Sequence, residues 1–400
     1  MTKPSRSALP AGVWALGLVS LFMDMSSELV HALLPIFLTT TLGASMLSVG
    51  LIEGIAEATA AMTKVVSGTL SDWLGRRKRL AVIGYGLAAL SKPFFPLADS
   101  IATVLTARIA DRIGKGIRGA PRDALIADIT APEQRGEAYG LRQSLDTAGA
   151  VLGPLIGIAL MTLLNDNIRL TFWFAVLPAL AAVTILVLFV HEPEPKVDDA
   201  PAKSGAPRIR WADVATMGTA YWGIVAIGGV LTLARFSEAF LVLRAETAGL
   251  GIAFVPLVLV MMSAVYTLSA YPAGLLADRL DKTRLLALGF VALIAADLVL
   301  AHANEPVMLF TGVGLWGLHM GLTQGLLSTL VADSAPKALR GTAFGIFNFV
   351  SGIVLLAASL IAGYLWEDYG PASTFYAGAI ITMVGLAGLV LLPRRNTAKK

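Results

Sequence analysis

The chain has 400 residues, of which 56% are hydrophobic and 14% are charged, and its mean hydropathy is +0.73. An ordinary soluble domain is about 25% charged, so this composition excludes a protein whose main solvent is water. The formal net charge is +4 and the pI is about 9.3. The sequence has no cysteine, which excludes disulfide bonds and thiolate metal sites.

Long apolar stretches follow one another along the chain in two groups of six. A membrane-spanning helix needs roughly 20 mostly apolar residues. We therefore predict an all-α membrane protein with twelve transmembrane helices in two pseudo-symmetric six-helix bundles. The predicted spans lie near residues 13–38, 46–67, 80–98, 101–127, 138–163, 168–190, 213–243, 252–276, 284–303, 306–331, 342–365 and 371–392.

One long polar segment, HEPEPKVDDAPAKSGAPRIRWA, separates the two groups. It is rich in Pro, Ala and mixed charge, which is typical of a flexible linker. The pattern predicts an amino-terminal bundle over 1–190, a cytoplasmic linker over 191–212 and a carboxy-terminal bundle over 213–400.

The basic residues predict the orientation of the chain in the bilayer. Twenty Lys and Arg residues fall in the tails and in the loops on the side of the two termini, whereas only Arg169 and Arg244 fall in loops on the other side. Because cytoplasmic loops carry the excess of Lys and Arg, both termini are predicted to be cytoplasmic, in the inner membrane. The high pI then reflects topology and contact with anionic lipid headgroups, and nucleic-acid binding is not needed to explain it.

A thirteen-residue phrase occurs twice, as GTLSDWLGRRKRL from Gly68 and as GLLADRLDKTRLL from Gly274. A second phrase repeats at nearly the same offset, as ADITAPEQRGEAYG from Ala127 and ADSAPKALRGTAFG from Ala332. The chain is therefore predicted to consist of two related halves, an arrangement typical of secondary transporters.

With these motifs the chain resembles the Major Facilitator Superfamily over essentially its whole length. In that family the pattern formed by Gly68, Asp72, Gly75, Arg76 and Arg77 is the signature of the loop between helices 2 and 3. The resemblance implies a gate, in which acid and base from this loop bridge to a helix start in the other half and close the cytoplasmic side. The alternative is that the basic run only fixes topology.

The second copy of the loop supplies the equivalent candidates Asp278 and Arg279, and the expected helix starts lie at Arg135 and Arg340. A carboxylate is favoured at the positive end of a helix dipole. The second copy has Asp281 where the family pattern has glycine.

Helix 5 carries Gly149, Gly153 and Gly157 four residues apart, with Pro154 beside the middle one. Glycines at that spacing make a flat face for close helix packing. The motif resembles the glycine-proline motif of the family's proton-driven exporters, which implies export. The alternative is a packing face with no bearing on direction.

Acidic residues on helices 1 and 2 are the candidates for proton coupling. Asp24, Glu28 and His31 share one face of helix 1, and Glu53 and Glu57 share one face of helix 2. A buried carboxyl group can take and release a proton near neutral pH, and Glu28 is the first choice for this role. The alternative is that these acids sit in fixed ion pairs. His31 is also a substrate-binding candidate.

Helix 4 presents a basic stripe of Arg112, Lys115, Arg118 and Arg122, which are candidates for substrate binding. The resemblance links Arg112 to proton coupling as well, because Arg112 and Gly116 match the family's helix-4 motif.

Other charged residues are predicted to have structural roles. Lys92 and Arg108 are expected to extend toward the membrane interface. The spacings of Arg142 with Asp146 and of Arg235 with Glu238 allow pairs within one helix. In the second half, Glu238, His319 and Gln324 are the candidates for contact with a solute.

No Walker phosphate loop, nucleophile-base arrangement or dense metal cluster occurs in the sequence, so no enzyme activity, cofactor or metal site is predicted. The stretches SLFMDMSSELVHALLPIFL, GLIEGIAEATA and DRIGKGIRGAPRDALIAD resemble a bacterial branch of the superfamily that includes nickel-resistance permeases. The prediction is a monomeric, proton-coupled exporter of a divalent metal or a metal complex.

Two alternatives remain open. The first is a transporter of an anionic organic solute such as a siderophore, which is favoured by the basic stripe and by the scarcity of metal ligands, since the chain has only four histidines and no cysteine. The second is a membrane sensor that binds a ligand without transporting it.

Overall fold

The computed structural model describes residues 9–74, 77–192, 217–279, 281–336 and 339–391. Within these ranges all regular structure is helical. The α-helices, numbered in chain order, are α1 (Ala11–Ile36), α2 (Met46–Leu74), α3 (Arg77–Ser91), α4 (Phe94–Leu97), α5 (Ile101–Ile129), α6 (Arg135–Leu163), α7 (Ile168–Phe174), α8 (Val176–Phe189), α9 (Thr219–Ala234), α10 (Ala239–Thr247), α11 (Leu257–Arg279), α12 (Lys282–Ala301), α13 (Pro306–Ser334), α14 (Arg340–Tyr369) and α15 (Pro371–Leu391).

The prediction of an all-α membrane protein is confirmed. In the described part of the chain, ten helical segments are long and apolar enough to cross a membrane. The charge-rich helix α5 and the helix α13 have 29 residues each, which is also long enough to span. Together they match the twelve predicted spans.

The helices group into two compact units. The first comprises Met1–Phe37 and Thr59–Arg208, and the second comprises Leu38–Ala58 and Ile209–Lys400. In this division the segment 38–58 groups with the second unit.

Glycines explain why the first half of α2 groups with the second unit. A Cβ atom added at Gly54 would lie 2.7 Å from the side chain of Leu356, and one added at Gly363 would lie 2.5 Å from the carbonyl oxygen of Met46. The absence of both side chains lets α2 and α14 pack backbone to backbone over this segment.

Within the first unit, α1 packs against α6 and α8, and α3 packs against α5. Within the second unit, α13 packs against α11 and α12, and α15 packs against α9 and α12.

The seventh predicted span is broken. Helix α9 ends at Ala234, α10 begins at Ala239, and residues 235–238 between them are not helical. The prediction of an Arg235 to Glu238 pair within one helix is therefore wrong, since neither residue lies inside a helix. We call this segment the helix break.

Candidate functional site

Two glycines of α6 bring that helix against the backbone of α1. A Cβ atom added at Gly149 would collide with the carbonyl oxygen of Leu21, and one at Gly153 would lie 2.6 Å from the carbonyl oxygen of Met25. At Gly157 the nearest atom would be a Leu33 methyl at 3.8 Å, an ordinary contact. The tight approach is therefore confined to Gly149 and Gly153. Pro154 lies beside them inside α6 and is buried.

This close approach places charged residues of α1, α5 and α6 together, in what we call the aspartate cluster: Asp24, Arg118, Arg122, Asp123, Arg142 and Asp146. Arg118 donates to Asp24 across 3.2 Å. Arg122 lies 3.5 Å from Asp146, and Arg142 donates to the same carboxyl group across 3.3 Å. Arg122 also donates to Asp123 at 3.0 Å and to Ser20 at 3.1 Å.

Asp24 and Asp146 belong to the same cluster but bind different arginines. Asp24 accepts a hydrogen bond from Arg118, whereas Asp146 accepts one from Arg142 and also lies 3.5 Å from Arg122. From the sequence, Asp146 was expected only in a pair with Arg142 of the same helix. Its contact with Arg122 of α5 could not be predicted, because spacing along one helix does not show which residues of a neighbouring helix lie close.

A second group, which we call the lysine cluster, comprises Ser27, Glu28, His31, Lys92, Arg108, Asp111 and Arg112. Lys92 donates to Asp111 across 2.7 Å and to Ser27 across 3.0 Å. The side chains of Lys92 and Asp111 are 1% and 3% exposed. The expectation that Lys92 and Arg108 extend to the membrane interface is wrong, since both are buried inside the first unit. Lys92 directly follows α3, whose packing on α5 carries it to Asp111.

His31 connects α1 to the basic stripe of α5. Its Nδ1 lies 3.5 Å from a guanidinium nitrogen of Arg112 and 3.9 Å from the Glu28 carboxylate. Glu28 is 23% exposed. The helix-1 face predicted from spacing thus meets the helix-4 stripe within the first unit.

The four residues of the predicted basic stripe differ in their surroundings. Arg112 and Arg118 are buried, Arg122 is half-buried, and Lys115 is exposed. Arg118 also stacks on Tyr85, with the guanidinium carbon 4.8 Å from the ring centroid. Lys115 therefore lies apart from the two clusters.

The remaining candidates lie in the second unit. Glu53 is buried and Glu57 is half-buried, and both belong to the segment 38–58. His319 is fully buried, with its Nδ1 2.9 Å from the carbonyl oxygen of Gly289. Glu238 at the helix break and Gln324 on α13 are half-buried.

Several gate residues fall outside what the structure describes. Gly75 and Arg76 are not described, and for Gly68, Asp72, Asp278 and Arg279 only the helical backbone is described. Arg77, Arg135 and Arg340 are described with their side chains.

Basic residues of the two loop copies make similar contacts in the two units. Arg77 pairs with Asp128 in the first unit, and Lys282, which aligns with Arg76, pairs with Asp333 at 2.7 Å in the second. Likewise, Arg135 donates to the carbonyl oxygen of Ala127 at 3.3 Å, and Arg340 donates to that of Ala332 at 3.0 Å. The sequence repeat is therefore also a repeat of side-chain contacts within each unit.

Asp281 caps the helix that follows the second copy of the loop. Its side chain accepts a hydrogen bond of 2.7 Å from the backbone N–H of Thr283, at the start of α12. This bond lowers the pKa of the Asp281 carboxyl group below its ordinary value. Asp281 thus stands where the family pattern has glycine because it caps the amino-terminal end of α12.

Among the described residues, no group of three or more His, Cys, Asp and Glu side chains is placed to hold a metal ion. Asp24 binds Arg118, and His31 faces Arg112. Asp24 and His31 of α1 therefore face arginines of α5.

The chain is similar in sequence to other transporters. It is 29% identical to the uncharacterised transporter MJ1317 of Methanocaldococcus jannaschii, over 96% of this chain and 95% of that protein. It is 26% identical to the probable 4-methylmuconolactone transporter of Cupriavidus pinatubonensis, over 95% and 88% of the two chains. In fold it resembles the nucleoside transporter NupG, with a TM-score of 0.79, 13% identity and coverage of 95% and 99%.

The family model of the Major Facilitator Superfamily matches residues 16–358 and 236–400. The two-bundle transporter fold predicted from the repeat is confirmed by this match and by the likeness to NupG. The chain belongs to the Major Facilitator Superfamily and is a multi-pass membrane transporter, not an enzyme.

Proposed function

We propose that this transporter couples solute movement to protons and that the aspartate cluster carries the proton. The observation that supports this most directly is that Asp146 of α6 contacts two arginines from different helices, Arg142 of α6 at 3.3 Å and Arg122 of α5 at 3.5 Å. A carboxyl group takes up a proton when its arginine partners move away and releases that proton when they return.

Charge balance in the cluster favours the same role. Three aspartates, Asp24, Asp123 and Asp146, face three arginines, Arg118, Arg122 and Arg142. The cluster is neutral when all six are ionised and carries one positive charge when one aspartate holds a proton. A packed group of charges whose net charge changes with one proton is suited to couple proton binding to helix movement. In this proposal the proton site shifts from Glu28 to the aspartates of this cluster, with Asp146 as the first choice.

The solute we propose is an organic anion or an anionic metal complex. The lysine cluster gathers three cationic side chains, Lys92, Arg108 and Arg112, and Arg118 lies one helical turn or two further along α5. Cationic side chains attract an anionic solute and repel a bare divalent cation. The probable substrate of the Cupriavidus relative, a muconolactone, is also an organic molecule.

Export is the proposed direction, from the glycine-proline motif of α6. The same glycines pack α6 on α1 beside the aspartate cluster. The proposed location is the inner membrane with both termini cytoplasmic, supported by the excess of basic residues on that side.

Proton flux in proteoliposomes tests the proposal. Vesicles containing a pH-sensitive dye are challenged in turn with carboxylate anions, ferric chelates and nickel ions, using the native protein, Asp146→Asn and Asp99→Asn. Asp99 is the matched control because its carboxylate is 91% exposed and lies outside both clusters.

We expect an anion-dependent pH change that Asp146→Asn abolishes and Asp99→Asn retains. A pH change that nickel ions produce and the anions do not would contradict the proposed solute. A flux that Asp146→Asn leaves intact, and that Glu28→Gln abolishes, would return the proton site to Glu28.

A further inference from the structure

Asp297 on α12 is a buried carboxyl group that neither cluster contains. It is 0% exposed, and neither side-chain oxygen has a hydrogen-bond partner among the described residues. An ionised carboxylate in such surroundings costs several kcal/mol unless it is paired. The neutral acid avoids most of that cost.

The carboxyl group of Asp297 lies against a glycine and against the end of a helix. A Cβ atom added at Gly378 of α15 would lie 2.7 Å from Oδ2 of Asp297 and 3.1 Å from the carbonyl oxygen of Ala234. Ala234 is the last residue of α9, just before the helix break. The carbonyl end of a helix carries partial negative charge, which further disfavours a carboxylate and favours a proton.

Aromatic residues hold the helix break in place near this carboxyl group. Phe236 of the break lies with its ring centroid 5.4 Å from that of Trp316 on α13 and 5.4 Å from that of Phe375 on α15. Phe375 precedes Gly378 by three residues and so lies on the same side of α15. Movement of the break would therefore disturb the wall around Asp297.

The other titratable groups on the elements around Asp297 have different partners. Arg235 of the break interacts with Glu238 and Tyr266. His319 of α13 bonds to the Gly289 carbonyl, and His302 pairs with Tyr376 at 3.0 Å. Among the described residues, no ion pair joins any of these groups to Asp297.

We propose that Asp297 is a proton-binding site of the second unit, protonated in this conformation and opened to water by movement of the helix break. The step releases one proton: the Oδ–H bond breaks, the proton passes to water, and the carboxylate remains. Arg235, next to Ala234, is the cation available to the carboxylate once the break moves.

Infrared difference spectroscopy on the purified protein tests this without any solute, so the result does not depend on the transport assay. We expect the native protein at neutral pH to show a carbonyl band of protonated carboxylic acids. Asp297→Asn should remove the component of that band that comes from Asp297, and Asp99→Asn should leave the band unchanged. A band of full intensity in Asp297→Asn would overturn the proposal.

A second pair of variants tests the coupling to the break. In Phe236→Ala, the Asp297 band should disappear at a lower pH than in the native protein. The double variant Phe236→Ala with Asp297→Asn should lack this pH-dependent loss of the band. Loss of the band on addition of sodium ions at constant pH would instead assign Asp297 to a sodium site.

Thermal unfolding gives a control for structural damage. Because asparagine resembles the protonated acid, Asp297→Asn should unfold at the native temperature or higher at neutral pH. The unfolding temperature of the native protein should fall relative to that of Asp297→Asn as pH rises, since the folded state then holds one more proton than the unfolded state. A large loss of stability in Asp297→Asn at neutral pH would show that the native residue is a paired carboxylate and would overturn the proposal.

Discussion

Lys92 donates a hydrogen bond of 2.7 Å to the carboxylate of Asp111, and both side chains are almost completely buried. Removing one partner of such a pair leaves an uncompensated buried charge, which costs roughly 3–5 kcal/mol. Lys92→Met and Asp111→Asn should therefore each lower the unfolding temperature in detergent strongly. The double variant should be more stable than either single variant, and three equally destabilised variants would contradict the pairing.

The α6 glycines predict a graded response to added methyl groups. Gly149→Ala and Gly153→Ala place a Cβ atom on the α1 backbone, whereas Gly157→Ala makes an ordinary contact. We expect the first two to destabilise the protein by about 1–3 kcal/mol, the usual cost of overpacking. Gly157→Ala is the matched control and should unfold near the native temperature. Equal effects at the three positions would show that the close approach of α1 and α6 is not tight.

Much of the fold could be predicted from the sequence because membrane helices have a strong compositional signal. Twelve apolar stretches predicted the membrane-spanning helices, and the repeated motifs predicted the two related halves. The break at 235–238 was not predicted, because the segment ARFSEAF contains neither glycine nor proline. Its charged and small residues are consistent with a helix of ordinary composition.

Site residues could be predicted where they share one face of a single helix. Asp24, His31 and Arg118 were found from spacing on their own helices. Asp146, Lys92 and Asp111 were missed or assigned to other roles, because their partners lie on different helices and only packing brings them together. Asp297 gave no signal beyond a single acid in an apolar stretch, ALIAADLVLA.

The repeated contacts at Arg77 and Lys282 should differ in strength. Arg77 pairs with Asp128, donates to the Ala124 carbonyl oxygen at 3.2 Å and has its backbone N–H bound to Glu192 at 2.6 Å. Among the described residues, Lys282 pairs only with Asp333, and this pair is more exposed. Exposed pairs contribute about 0–1 kcal/mol, so Lys282→Ala should change the unfolding temperature little.

Arg77→Ala should therefore be the more destabilising of the two substitutions. The effect of Lys282→Ala should also vanish in high salt, which screens exposed charges. The comparison uses unfolding temperatures of both variants at low and high ionic strength. A larger effect at Lys282 than at Arg77 would contradict the contacts described here.

Asp281 predicts a pH-dependent contribution to stability. Its bond to the Thr283 N–H lowers the pKa of the carboxyl group, so the stabilisation is present above the ordinary aspartate pKa and is lost as pH falls through the lowered value. Asp281→Ala should cost about 1 kcal/mol at neutral pH, the usual cost of losing a helix cap. The difference in unfolding temperature from the native protein should shrink on acidification.

Two further substitutions at this position separate the cap from its charge. Asp281→Asn retains a capping side chain that does not titrate, so its stability should lack the acid-dependent loss. Asp281→Gly restores the residue of the family pattern and should cost only a few tenths of a kcal/mol, because glycine is itself an acceptable cap residue. If Asp281→Gly were as unstable as Asp281→Ala, the side chain would act through another contact, and the departure from the family pattern would need a different explanation.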